Sequence, residues 1–285
     1  MLIIILGFPG QLRANDSTDI LLASKDSMLQ QAVETVVRDR DLSHAVETRQ
    51  LALAMLIVTD PDKPLLAELN GHHMVYAASL PKIAILLGAA VAIDEGRLEL
   101  DEELRTNLHN MIRISCNSCA TWVLGQVGRD QLLQTLRSPE YAFYDGNQNG
   151  GLWVGKDYGP SSAYRRDPLA GISHGATAFQ AARFYYELQR GALVSPEQSE
   201  MMLDVLSRPG IWHKFVRGLS TYPDLELYRK SGTWKTYHAD SVLVRTDGLA
   251  YILVGLANNP NGDAWLESLA APLHEAARLR NTAQQ

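Results

Sequence analysis

The chain has 285 residues, of which 46% are hydrophobic and 20% charged, so it holds ample material for one large globular domain. The formal net charge of -6 comes without a basic stripe, which argues against nucleic acid as a partner. No run approaches the roughly 20 apolar residues that a membrane-spanning helix needs.

The first stretch, Met1 to Phe8, is apolar; Pro9-Gly10 breaks it, and Leu12-Arg13-Ala14 precedes polar Asn15-Asp16. This is the pattern of the later part of a secretory signal, with an apolar core and a cleavage site after a small residue. Residues 1–14 are therefore expected to be a signal-peptide remnant and the protein to be periplasmic or secreted, with a buried N-terminal strand as the alternative. Residues 15–285 are expected to form a single domain.

Ser24 to about Arg38 has Met28, Ala32, Val33, Val36 and Val37 at helical spacing. Leu51 to Val58 is a continuous apolar run, followed by turn residues Thr59 to Pro64 and then Leu65 to Gly71, which predicts a hairpin of two strands. An apolar helix follows Ser79 and ends near Asp94-Glu95, with Gly96 placed to stop it. Leu104 to Ile114 and Ala120 to Gly125 predict two further helices. Ser138 to Gly175 is rich in Gly, Pro, Tyr, Asn and Asp with little periodicity, and loops of that length are usually functional. Helices are expected over Ala176–Gly191, Pro196–Leu206 and Trp212–Leu219, strands over Leu225–Thr233, Asp240–Arg245 and Leu249–Ala257, and a closing helix over Ala264–Arg280.

That order predicts an α+β fold. One antiparallel sheet takes strands from both ends of the chain, with an α/β part over 15–78 and 207–285 and a mostly helical subdomain inserted over 79–206.

Three short motifs stand in order along this frame: Ser79-x-x-Lys82, Ser115-Cys116-Asn117 and Lys230-Ser231-Gly232. Ser79 and Lys82, three apart, share one face at the mouth of an apolar helix. A serine needs a base to become a nucleophile, and a lysine serves as one only when desolvation or a nearby cation lowers its pKa. Two lysines in one pocket would lower each other.

The three motifs resemble those of the penicillin-recognising serine hydrolases, specifically the class A β-lactamase family, over about Ser24 to Arg280. The resemblance implies an acylated nucleophile at Ser79, activated by Lys82, with Ser115 relaying a proton to the leaving nitrogen and Lys230 placing charge beside it. It implies that Asn117 binds the substrate's side-chain amide, that Ser231 and Thr233 bind its carboxylate, and that the N–H groups of Ser79 and Thr233 form the oxyanion hole. Gly232 would let substrate lie against a strand edge. No cofactor is implied, and the substrate is a small molecule, either a β-lactam or a D-alanyl-D-alanine stem peptide, handled by a monomer.

The chain departs from the family pattern in three places. Cys116 stands where an Asp is usual, and Cys116-Asn-Ser-Cys119 is open to a local disulfide, two structural thiols or a redox pair. The interval from Ser79 to Ser115 is short, which implies a more open cleft. Arg165-Arg166-Asp167-Pro168 resembles the family's Arg-x-Glu-Pro, which makes Asp167 the candidate base for the deacylating water and His174 a weaker one; the alternative is an Asp167 paired with Arg165 or Arg166 to fold the loop. The eight histidines, among them His72, His73, His213 and His238, show no paired ligand spacing, and no metal is expected.

Three functions follow. The first is a β-lactamase-like serine hydrolase acting on a cyclic amide. The second is a D,D-carboxypeptidase that β-lactams inhibit, and the third is a catalytically weak binding protein of the same fold.

Overall fold

The computed structural model describes residues 14–147 and 149–284, so the expected signal-peptide remnant lies, apart from Ala14, outside the described residues. Helices α1 (Ala14–Ala23), α2 (Ser27–Asp39) and α3 (Ser43–Glu47) lead into strands β1 (Leu51–Ile57), β2 (Leu65–Leu69) and β3 (Val75–Tyr76). Four helices follow, α4 (Lys82–Asp94), α5 (Glu102–Arg113), α6 (Asn117–Val127) and α7 (Arg129–Arg137). Short strands β4 (Tyr144–Asp145), β5 (Gly150–Gly151), β6 (Trp153–Val154) and β7 (His174–Ala176) precede α8 (Ala178–Gln189), α9 (Pro196–Leu206) and α10 (Lys214–Gly218). The chain closes with β8 (Glu226–Trp234), β9 (Tyr237–Thr246), β10 (Leu249–Asn258) and α11 (Gly262–Thr282).

The main sheet has the order β2-β1-β10-β9-β8, antiparallel throughout. Strands from the two ends of the chain meet at its centre, with Leu51 opposite Ala257 and Ile57 opposite Tyr251. The fold is the α+β arrangement expected. Strand β1 is buried along its whole length because both faces of the sheet are covered. Ala52, Ala54 and Leu56 join a core with α4 and α8, while Leu51, Leu53, Met55 and Ile57 join a second core under α2 and α11. Successive side chains of a strand point to opposite faces, so a two-sided strand must be apolar at every position.

Helix α4 runs through the middle of the first core, and every residue from Lys82 to Ala92 is buried. A helix apolar on all sides belongs there. A Cβ at Gly88 would come within 2.9 Å of the Leu132 and Val127 side chains, so α6 and α7 pack close against it. Strand β8 is an edge of the sheet, and the turn that leads into α4, the start of α6 and this edge bound the site described below.

Two differences from the sequence reading have plain causes. The stretch 138–175 is not structureless: β4 pairs with β5, and β3, β7 and β6 form a second small sheet. These strands are two or three residues long, too short for an alternating pattern to show. The sequence reading also holds no helix over α1, α3 or α7: α1 follows directly on the expected signal remnant, α3 is five residues long, and α7 carries its buried Leu132, Leu133 and Leu136 within nine residues, too short a run to set a periodic pattern.

Candidate active site

Ser79 lies in the turn between β3 and α4, half-buried, rather than on the helix itself. Leu80 N–H donates to Ala77 O at 3.0 Å and Lys82 N–H to Ser79 O at 3.2 Å, which closes the turn. Ala78 sits at φ 50°, a left-handed conformation that costs a side-chain-bearing residue about 1–2 kcal/mol. The turn is held from outside: Ala77 N–H donates to His174 O at 2.9 Å, and the Tyr158 hydroxyl donates to Ala78 O at 3.4 Å.

Lys82 opens α4 and is fully buried. Its amine lies 2.7 Å from Ser115 O, 2.8 Å from Asn117 Oδ1, 3.4 Å from Cys116 O and 3.4 Å from Ser115 Oγ. The Tyr158 ring covers it, 4.5 Å from amine to ring centre. Burial pulls the amine's pKa down to about 7, so near neutral pH a large share of the molecules carry a free lone pair beside Ser115.

Ser115 sits at φ 60° in the turn joining α5 to α6. Its hydroxyl receives the Lys230 amine at 3.0 Å as well as Lys82. Lys230 is fully buried on β8, and burial first, then the charge of Lys82, hold its pKa well below the usual amine value. Cys116 caps α6 and is joined to Cys119 by a disulfide, which resolves the alternatives left open by the sequence.

Gly232 brings the third motif to the first. A Cβ on it would run into Ala77 O and come within 2.7 Å of Ser79 N and 2.8 Å of Leu80 N. The β8 edge therefore lies directly against the Ser79 turn, and Gly232 leaves the space beside the Ser79 N–H free of side chain. The other face of β8 is built up by residues that no motif marks. His213 Nε2 lies 3.1 Å from Ser231 Oγ. The buried Lys214 amine donates to Thr233 Oγ1 at 2.8 Å and Gly232 O at 2.7 Å, with its pKa lowered by burial to about 8. Arg229 and Asp240, both buried, pair through two bonds of 2.7 and 2.9 Å, and Arg229 also donates to Ile211 O and His213 O. This pair ties the 211–213 loop to the sheet. Three large apolar side chains stand exposed in sequence next to site residues: Ile114, Trp212 and Trp234.

Ser79, Lys82, Ser115, Asn117, Lys230 and Gly232 thus come together, with Ser231 and Thr233 on the same strand edge. Asp167 does not join them through any hydrogen bond. It is buried in its own loop, where Oδ1 accepts from the Tyr144 hydroxyl at 2.7 Å and Leu169 N–H at 2.9 Å, and Oδ2 accepts from Ala170 and Ile172 N–H at 3.0 and 3.2 Å. Arg165 and Arg166 turn elsewhere, to Asp130 and to Gly171 O, so the ion pair weighed from the sequence is not formed. His174 is also committed: Nε2 lies 2.9 Å from Lys156 O and Nδ1 lies 3.2 Å from Ser173 Oγ, and burial lowers its pKa to about 4. The group that faces Lys82 from this loop is the Tyr158 ring.

A family model for the β-lactamase enzyme family matches residues 40–279. The chain belongs to the β-lactamase enzyme family. A search of curated protein sequences returns no match. Among solved structures, the chain is similar to a β-lactamase from Sphaerobacter thermophilus DSM 20745, with 17% identity over 88% of this chain and 97% of that one and a TM-score of 0.66. It is similar to PBP-A, with 18% identity over 90% of this chain and 97% of that one, TM-score 0.66. A class A representative from Bacteroides cellulosilyticus DSM 14838 matches with 13% identity over 90% and 100%, TM-score 0.65. At these identities the likeness shows the β-lactamase fold. Within that fold, Tyr158, His213, Lys214 and the Arg229–Asp240 pair are what this β-lactamase-family member places around its three motifs.

Among the described residues, no group of three or more His, Cys, Asp or Glu side chains could hold a metal ion, and no helix is long and apolar enough to cross a membrane.

Proposed function

We propose that the protein is a class A-like serine hydrolase that opens a β-lactam amide through an acyl-Ser79 intermediate. The observation that carries this reading is the convergence of two buried amines, Lys82 and Lys230, on the Ser115 hydroxyl, with Gly232 seated against the Ser79 turn. Acyl transfer needs a nucleophile, a proton path and donors aimed at a developing oxyanion. The neutral Lys82 amine takes the Ser79 proton as Oγ attacks the carbonyl carbon. The oxyanion forms against the Ser79 and Thr233 N–H groups. The C–N bond then breaks as Ser115, charged from Lys82 and held by Lys230, gives its proton to the leaving nitrogen. Water later cleaves the ester and restores Ser79. Ser231 and Thr233 take the substrate carboxylate, with His213 and Lys214 behind them.

The release step favours a second reading within the same chemistry. Among the described residues no carboxylate hydrogen-bonds to Lys82 or Ser79, and Asp167 holds four donors of its own loop. A slow ester hydrolysis follows, which is the behaviour of a penicillin-binding D,D-carboxypeptidase. We further propose that the protein works outside the cytosol, as the Cys116–Cys119 disulfide suits an oxidising compartment.

The test is turnover of a chromogenic cephalosporin by wild type and by Ser79→Ala. Hydrolysis by the wild type that is lost in Ser79→Ala supports the hydrolase. A single burst without turnover supports the slow-release reading. Equal rates in both proteins overturn the acyl-serine mechanism.

A further inference from the structure

The α5–α6 turn supplies most of what holds Lys82. Three of the acceptors around its amine, Ser115 O, Cys116 O and Asn117 Oδ1, belong to three consecutive residues, and the fourth is the Ser115 hydroxyl. The same turn presents that hydroxyl to Lys230. Its geometry is demanding, because Ser115 is held at φ 60°, where a residue with a side chain remains only if its surroundings fix it. Helix α6 starts immediately after, and its cap is the Cys116 sulfur, which accepts the Cys119 N–H at 3.1 Å. Sulfur is a weak acceptor, and Ser, Thr, Asp and Asn are the side chains suited to that place. What fixes the first turn of α6 here is covalent: Cys116 and Cys119 are joined, with Cα atoms 5.3 Å apart. Both cysteines are only partly buried, so a reductant in solution can reach them.

We propose that the Cys116–Cys119 disulfide is a positioning device for Lys82 and Ser115, and that Ser79 acylates at full rate only while it is intact. This rests on the acyl-serine reading above. Reduction by a dithiol transfers two electrons and two protons: the Sγ–Sγ bond becomes two thiols, and the dithiol closes to its own cyclic disulfide through a mixed-disulfide intermediate. The thiols no longer bind Cys116 to Cys119, and the three acceptors can draw away from Lys82. A displacement of about 1 Å costs on the order of 10²-fold in a positioned reaction, so reduced protein acylates about 10- to 100-fold more slowly. Reoxidation restores the rate. An enzyme of this kind is switched on by arrival in an oxidising compartment.

The experiment follows acylation by a fluorescent penicillin in oxidised wild type, in wild type held in dithiothreitol, and after reoxidation, with far-UV circular dichroism confirming that the reduced chain is folded. A C116D/C119A variant provides a good oxygen cap and no cross-link. The expected result is fast labelling when oxidised, labelling at least 10-fold slower when reduced, recovery on reoxidation, and slow labelling by a folded C116D/C119A. Equal rates in oxidised and reduced wild type overturn the proposal and leave the hydrolase reading intact. Wild-type rates in C116D/C119A also overturn it, by showing that any good cap serves. An unfolded C116D/C119A, or a chain that unfolds on reduction, overturns it by assigning the cross-link to global stability. Failure of oxidised wild type either to label or to consume the penicillin counts instead against the acyl-serine reading.

Discussion

Lys82 is completely buried, and the base role proposed for it depends on that burial. Because burial lowers its pKa to about 7 from an ordinary 10.5, the folded state binds fewer protons than the unfolded state between those values. Stability therefore rises with pH across that window, and the full penalty applies below pH 7. At about 1.4 kcal/mol per pH unit the penalty amounts to several kcal/mol. Replacing the amine with an apolar chain of similar size, Lys82→Met, should raise the urea midpoint of unfolding while lowering acylation at least 10³-fold. An unchanged or lower midpoint would show that the acceptors around the amine offset its desolvation. For the wild type, the acylation rate should climb with pH through about 7 as the amine loses its proton; a rate flat from pH 5 to 9 would remove Lys82 as the base. At this scale the sequence disclosed the residues of the three motifs and hid their supports. Ser79, Lys82, Ser115, Asn117 and Lys230 lie in short motifs whose spacing carries chemistry. Tyr158, Lys214 and the Arg229–Asp240 pair lie far apart along the chain and meet only through the fold. Asp167 matched a motif, yet its carboxylate is engaged by backbone N–H groups that any sequence supplies.

The β8 strand and the loop over 138–175 act on the site as units. Where β8 crosses the Ser79 turn there is no room for a side chain, so Gly232→Ala pushes the strand against Ala77 O and Ser79 N. Acylation should fall about 10²-fold through that displacement, with far-UV dichroism unchanged; wild-type kinetics in this variant would mean that the edge and the turn are not in contact. In the loop, Asp167 gathers Tyr144, Leu169, Ala170 and Ile172. Asp167→Ala leaves the buried Tyr144 hydroxyl without its acceptor, at a cost of about 1–3 kcal/mol, and releases three N–H groups of the loop. Limited proteolysis should then cut the 138–175 region faster, and a cleavage pattern like that of the wild type would contradict the stapling role. The strands β1, β8, β9 and β10 were legible because long apolar or alternating runs bounded by turn residues have few other readings. The short pairings inside the loop were not, since β4 and β5 are fixed by partners rather than by pattern.

Over the whole molecule, the two ends of the chain close one structure. Arg280 on α11 donates to both oxygens of Asp26, the residue that caps α2, at 2.8 Å each. Its hydrogen bond holds the Asp26 carboxyl below its ordinary pKa. The pair's contribution is thus present above the unfolded carboxylate value near 3.9 and is lost as pH falls through the lower folded value. Arg280→Ala should destabilise the fold by about 1–3 kcal/mol in urea at pH 7, with a smaller difference at pH 3; a loss independent of pH would assign the effect to packing. That the sheet draws on both chain ends was legible, because strand patterns flank a helical block. The site is legible only as far as its motifs, and its assembly depends on that closure. The measurement that bears most directly on it is time-resolved intact mass of the oxidised protein with penicillin G, followed by peptide mapping. The expected result is one adduct, on Ser79, that forms quickly and decays as the ring-opened penicillin appears; neither adduct nor ring-opened product, or an adduct on another residue, would contradict the convergence of Lys82, Lys230 and Ser115 as the machinery of an acyl-serine hydrolase.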